Sequence, residues 1–240
     1  MCLSGKMKVA LMLSGLSRCA DVCYPNLYEY LLSKYNVDIY IHSYEETNIS
    51  LRNSNMFEKQ FSQQDLLKLY KPKKIVFEKY NEVRNDIVIK SQQYRSDPTC
   101  NPERATSAFR KIALCFGMIE EKYDVYIRSR LDVFHEMPVR LENLDLTSVN
   151  IPLPTGKQTR FVDGYYFSYL LDYSGVMDHF AVGGYEPMKK YCSLYDRLDQ
   201  YCINQGLLFH PETLTKRNLE LTGTKLNRFV ADYSLHRKEY

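Results

Sequence analysis

Short apolar runs alternate with longer helical stretches over the first 130 residues, and this alternation limits the fold more than any other feature of the 240-residue chain. Lys8–Leu13 is a compact apolar run that stops at Ser14-Gly15, the pattern of a buried strand followed by a turn. Tyr24–Lys34 carries Leu27, Tyr28, Leu31 and Leu32 at helical spacing. Val37–Ile41 predicts a second strand ending in His42-Ser43, and Gln64–Tyr70 a short helix stopped before Pro72. Lys74–Phe77 predicts a third strand. Pro102–Lys122 predicts a long amphipathic helix with proline near its start, and Val125–Ser129 a fourth strand. Such an order gives an α/β fold whose central sheet is mainly parallel, flanked by helices.

The second half is less regular. Asp145–Pro154, Gly164–Phe167 and Val176–Val182 predict short strands, Gly184–Ile203 and Glu212–Thr222 helices, and Lys225–Phe229 a last strand. Asn48–Gln64 and Ser91–Pro102 are polar and turn-rich, and are expected to be mobile loops. No linker, repeat or low-complexity tract divides the chain, so residues 1–240 are expected to form one domain.

In open α/β sheets ligands gather at the carboxyl ends of the strands. That rule directs attention to Ser14, Gly15 and Arg18 after the first strand, His42 and Ser43 after the second, and Arg128, Arg130 and Asp132 after the fourth. In Arg128-Ser129-Arg130-Leu131-Asp132 the charged residues alternate with uncharged ones, so a continuing strand would put all three on one face. Two guanidiniums suit a diphosphate, and a carboxylate among them can hold a divalent ion that bridges the same phosphates. The competing reading is an internal ion cluster in which Asp132 neutralises the arginines. Ser14-Gly15-Leu16-Ser17-Arg18 offers backbone N–H groups, hydroxyls and a cation to a nucleotide, or is an ordinary β-to-α turn. Asp178, before Ala181-Val182-Gly183-Gly184, can serve as a general base near an acceptor hydroxyl or as a turn residue. Glu212, in His210-Pro211-Glu212, is an alternative base or a helix-start acid favoured by the helix dipole.

Several classes are disfavoured. Basic and acidic residues number 32 and 29, too balanced to imply a nucleic-acid partner. The seven cysteines form no C-x-x-C pair, so a zinc knuckle or redox dithiol is not expected, and the set suits a reducing compartment. No apolar run approaches the roughly 18–20 residues of a membrane span, and Val9–Leu13 is too short for a signal h-region. The expected location is therefore cytoplasmic. The P-loop, G-x-G-x-x-G, H-E-x-x-H and G-x-S-x-G patterns are absent. A Rossmann-type methyltransferase would carry a glycine-rich loop after the first strand, where this chain has only Gly15, and an acid where it has His42. The 21 tyrosines suit carbohydrate surfaces as well as an ordinary core.

At these residues the chain resembles a family of small glycosyltransferases with a GT-A-like fold, found in polysaccharide gene clusters and large DNA viruses. The resemblance runs through Ser14-Gly15-Leu16-Ser17-Arg18 with Tyr24-Pro25, Asp38–Tyr44, Tyr123–Asp132, Asp178–Gly183, Pro211-Glu212 and Tyr233–Arg237. It implies a hexosyl- or pentosyltransferase that moves a sugar from a UDP- or GDP-linked donor to a hydroxyl of a glycan or glycoprotein. Residues 1–133 would form the nucleotide-sugar half and 134–240 the acceptor half. Ser14, Gly15, Arg18, His42 and Ser43 would contact the nucleotide, Arg128 and Arg130 the diphosphate, and Asp178 or Glu212 the acceptor. Enzymes of this fold commonly use Asp-x-Asp to hold Mn²⁺ or Mg²⁺. Here Arg130 stands at the first of those positions, so Asp132 alone would ligate the metal. The alternative is a non-catalytic nucleotide- or glycan-binding module of the same fold.

Overall fold

A computed structural model of the chain describes residues 7–45, 61–98, 100–153, 176–231 and 233–235. Strand β1 (Lys8–Ser14) is apolar on both faces: Ala10 and Met12 enter one core cluster, Val9, Leu11 and Leu13 the other. A strand of that kind is stable only with a layer packed on each side. Around it lie β2 (Asn36–Tyr44), β3 (Lys74–Glu78), β4 (Val125–Ser129), β6 (Val149–Leu153), β7 (Ala181–Gly183) and β8 (Leu226–Val230), after β5 (Val133–His135) is set aside. The seven strands are ordered β3-β2-β1-β4-β7-β6-β8. The β1–β2, β2–β3, β1–β4 and β6–β8 pairs are parallel, while β7 runs antiparallel to both β4 and β6. Thus β7 alone runs against the other six. β5 pairs with β9 (Tyr233–Leu235) in a separate antiparallel ribbon. The chain is a single α/β domain with a mostly parallel central sheet.

Helix α1 (Ala20–Leu27) and α2 (Gln63–Tyr70) serve the face that holds Leu11 and Leu13. Helix α3 (Tyr80–Gln92) packs on α4 (Pro102–Gly117), and α4 lies over β1 and β2 on the Met12 face. Asn101 caps α4 by accepting from the Arg104 N–H at 3.0 Å, and Pro102 occupies its first turn, where an N–H is not needed. Helices α5 (Tyr185–Cys192), α6 (Leu194–Asp199) and α7 (Pro211–Leu221) complete that layer. No helix among the described residues is long and apolar enough to cross a membrane.

Five expected strands, Lys225–Phe229 among them, and the Gln64–Tyr70 and Glu212–Thr222 helices are present within a few residues, while the strand expected at Asp145–Pro154 narrows to Val149–Leu153. The helix expected at Tyr24–Lys34 begins earlier, at Ala20, and turns π-helical over Tyr28–Leu32, three residues beyond Pro25, which lacks an N–H for the helix ladder. The long helix stops at Gly117, five residues short of Lys122. Ser91 and Gln92 belong to α3, not to a loop. The stretch expected as one helix over Gly184–Ile203 is broken at Ser193 and ends in a π-helical turn, Gln200–Asn204. Only Ala181 and Val182 of the expected Val176–Val182 strand join the sheet, in a strand that runs on to Gly183, and the Val176 N–H bonds instead to the Glu212 carbonyl at 2.9 Å. Most of the Asn48–Gln64 loop, the Gly164–Phe167 strand and the end of the Tyr233–Arg237 motif lie outside the described residues.

Candidate functional site

β1, β2 and β3 proceed in one direction across the sheet, and β4 then returns to the other side of β1. The carboxyl ends of β1 and β4 therefore flank the point where strand order reverses, the usual ligand crevice of such sheets. Register decides what collects there. Met12 pairs with both Tyr40 and Arg128, and two residues on Ser14 pairs with His42. Paired residues share a face, so Ser14, His42 and Arg128 all lie beneath α4. Because β7 is antiparallel and Ala181 pairs with Arg128, the residues preceding Ala181 pass the end of β4. This brings Asp178 and His179 beside the arginines.

The expectation that Arg128, Arg130 and Asp132 share one strand face is corrected. β4 ends at Ser129, the chain turns, and Leu131 packs into the opposite core with Val133. Arg130 curls onto Asp132, donating from Nε to Oδ1 and from Nη2 to Oδ2, each at 2.7 Å. Arg18, from the turn after β1, donates from Nε to Asp132 Oδ2 at 2.9 Å, with Nη2 also 2.9 Å away. Asp132 is 1% exposed. Burial alone would raise its carboxyl, but Arg130 and Arg18 outweigh burial and hold it well below the usual carboxylate range. This is the ion cluster that the sequence left open as one of two readings.

Arg128 forms no such ion pair among the described residues. It is 2% exposed, and neither Nε nor Nη1 makes a hydrogen bond. A buried guanidinium with two unsatisfied nitrogens is rare because desolvation of a charge is costly. Lys111, on α4, adds a second buried cation, with its ammonium 4.1 Å from the centroid of the Tyr44 ring. Burial, with repulsion from Arg130 next, pushes Lys111 down to about 7 against the pull of Glu78. Glu78 is itself held by Arg110, with Nη2 donating to Oε1 at 2.9 Å and Nη1 to Oε2. His42 Nε2 comes within 3.3 Å of Glu78 Oε2 but lacks hydrogen-bond geometry, and both its ring nitrogens are unsatisfied. Burial pushes His42 down to about 4, so it is neutral near pH 7.

Gly15 and Ser43 have a joint structural role: Ser43 Oγ donates to the Gly15 carbonyl at 2.8 Å, and the Gly15 N–H donates to the His42 carbonyl at 3.3 Å. Gly15 has φ of 141°, a conformation that side-chain-bearing residues rarely adopt.

Asp178 and Glu212, the two acids expected near an acceptor, are brought together although 34 positions apart in the chain (212 − 178 = 34). Burial tends to raise Asp178, but His179, Arg128 and Arg130 hold it below the usual range. Burial and the Asp178 charge push Glu212 up to about 7. Two neighbouring carboxyls with pKa values driven apart can hold one proton between distinct roles, one ionised and one poised to exchange. His210 Nδ1 lies 3.3 Å from Glu212 Oε2. The acids come from the second half of the chain and the cations from the first, so the cluster spans both.

Among the described residues no three His, Cys, Asp or Glu side chains group as metal ligands. Asp132, expected to hold Mn²⁺ or Mg²⁺, already accepts from two guanidiniums, and a divalent ion there would face both charges. The groups around Asp132 fit an anion rather than a cation. Lys111 was missed by sequence reasoning. The signal available was its place on a buried stripe of α4, at four-residue intervals from Ser107 and Cys115. No family model matches this chain, and a search of curated proteins finds no match to it.

Proposed function

We propose that the chain is a glycosyltransferase that moves a sugar from a UDP- or GDP-linked donor to a hydroxyl of a glycan or glycoprotein acceptor. The observation that carries this reading is the buried, hydrogen-bond-deficient Arg128 at the strand-order reversal, next to two acids of opposite protonation tendency. Transfer breaks the bond from the sugar's anomeric carbon to the diphosphate oxygen and forms one to the acceptor oxygen. Negative charge then grows on the leaving diphosphate, where fixed cations stabilise it most. Arg128 and Arg130 serve that end. The acceptor's proton passes to Glu212, whose pKa near 7 suits a general base, while Asp178 stays ionised and tunes Glu212. A base on the acceptor side fits direct displacement with inversion.

A thermal-shift screen of UDP, GDP and their sugar conjugates, with and without Mn²⁺, tests the reading, followed by product analysis with NMR. If no nucleoside diphosphate or nucleotide sugar shifts melting at millimolar concentration, the reading fails. The engagement of Asp132 by Arg18 and Arg130 favours a second reading, a non-catalytic binding module. Slow donor hydrolysis abolished by Glu212→Gln would count against it.

A further inference from the structure

Two buried cations where α4 meets the sheet form no ion pair with a carboxylate among the described residues. Arg130 and Arg18 are neutralised by Asp132, and Arg110 by Glu78. Arg128 and Lys111 remain, on facing elements, each at most 6% exposed. Lys111 contacts the face of Tyr44, and no ion pair is formed by either side chain among the described residues. Beside them His42 presents a buried ring with both nitrogens unsatisfied. Buried charges without a hydrogen-bonded counter-ion are strongly disfavoured, and a guanidinium and an imidazole with unsatisfied nitrogens beside a buried ammonium point to an absent anionic partner. Arg130 and Asp178, both electrostatic neighbours of this cluster, keep 22% and 14% of their side-chain surface exposed.

We propose that Lys111 and Arg128 form a preorganised site for a diphosphate group that works without a divalent metal, the two fixed cations balancing the charge that a metal ion would otherwise carry. This deepens the glycosyltransferase reading and rests on it for the identity of the diphosphate as the donor's. A guanidinium able to bind in bidentate fashion and a point-charge ammonium, one from the sheet and one from α4, suit the two phosphates of one pyrophosphate unit.

The probes are inorganic pyrophosphate, UDP and GDP, titrated calorimetrically into the full chain in EDTA and again in Mn²⁺. Pyrophosphate is expected to bind in EDTA, with Mn²⁺ changing affinity less than about threefold, well under the roughly tenfold effect of one charge-assisted hydrogen bond. Lys111→Met is expected to weaken binding by roughly tenfold or more, through loss of that bond. Its ligand-free melting temperature should be equal to or above the parent's, because an unpaired buried charge is gone. Lys111→Met with a lower melting temperature and unchanged affinity would make the lysine merely structural. The wild-type titration decides even if the variant does not fold: binding seen only with Mn²⁺, or none at all, overturns the proposal. Metal-free pyrophosphate binding lost in Lys111→Met, with no response to any nucleotide sugar, would uphold the site and refute the glycosyltransferase reading. Metal-dependent sugar transfer indifferent to Lys111 would do the reverse.

Discussion

Arg130 folds back on Asp132, two residues along the same turn, and grips both carboxylate oxygens at 2.7 Å. Arg18 completes the cluster from 114 residues away in sequence, so one buried carboxylate ties the turn after β1 to the turn after β4. Breaking a buried pair by removing one partner strands the other charge. Asp132→Ala should therefore lower stability by about 3–5 kcal/mol, read as a shift in the urea unfolding midpoint. The folded carboxyl is depressed, so this stabilisation is complete above roughly pH 4 and is lost as pH falls below that value. An unchanged midpoint in the variant would show that the pairing contributes nothing to stability.

Glu212 titrates in the opposite sense. Its folded pKa is raised from 4.5 to about 7, so between those values the folded chain keeps a proton that the unfolded chain has lost. Its contribution to stability therefore falls as pH rises through that window, and Glu212→Gln should remove the slope. The rate of sugar transfer should rise through about pH 7 and lose that limb in Glu212→Gln, with kcat falling roughly 100- to 10,000-fold. A preserved limb would move the base elsewhere, Asp178 being the next candidate.

His42 and His135 supply an acid sensitivity of their own. Burial pushes each from 6.5 down to about 4, and His135 packs edge-on against Phe180 at 5.4 Å. Between those pH values the unfolded state binds more protons, so stability is lost as pH falls from 6.5 toward 4. His135→Phe should flatten the pH dependence of melting over this range. Melting curves for parent and variant that stay parallel would contradict it.

Two glycines should fail for different reasons. A Cβ at Gly183 would sit 2.8 Å from the Ser148 carbonyl oxygen, a backbone atom that cannot swing away. Gly183→Ala should cost about 1–3 kcal/mol by overpacking. At Gly15 nothing lies within 4 Å of an added Cβ, yet φ is 141°, so Gly15→Ala should cost about 1–3 kcal/mol through backbone strain alone. Thermal melts distinguish the two only if paired with a space-making change: Ser148 contributes a main-chain atom, so no side-chain truncation should rescue Gly183→Ala.

Local pattern carried far where an element is buried on two faces. Val125–Ser129 could be bounded to the residue, because the apolar run Val125-Tyr126-Ile127 begins just after Asp124 and a strand buried on both faces has little freedom to shift. By contrast, α3 escaped notice, since only Tyr80, Ile87 and Ser91 of its thirteen residues are buried and no apolar stripe marks it. The direction of β7 was equally hidden, because strand polarity is set by which neighbour a segment reaches and not by its own residues.

The sequence alone determined that polar groups would gather at strand ends of an α/β sheet, and it singled out Arg128, Arg130, Asp132, Asp178 and Glu212, since strand and turn signals are local. Only the tertiary structure decided how charge is shared among them. Arg18 and Arg130 satisfy Asp132, while Arg128 and Lys111 form no ion pair among the described residues, and burial, with the Asp178 charge next, sets Glu212 near neutrality. Pairing energies depend on distance and burial, and both arise only when segments far apart in the chain are packed against one another.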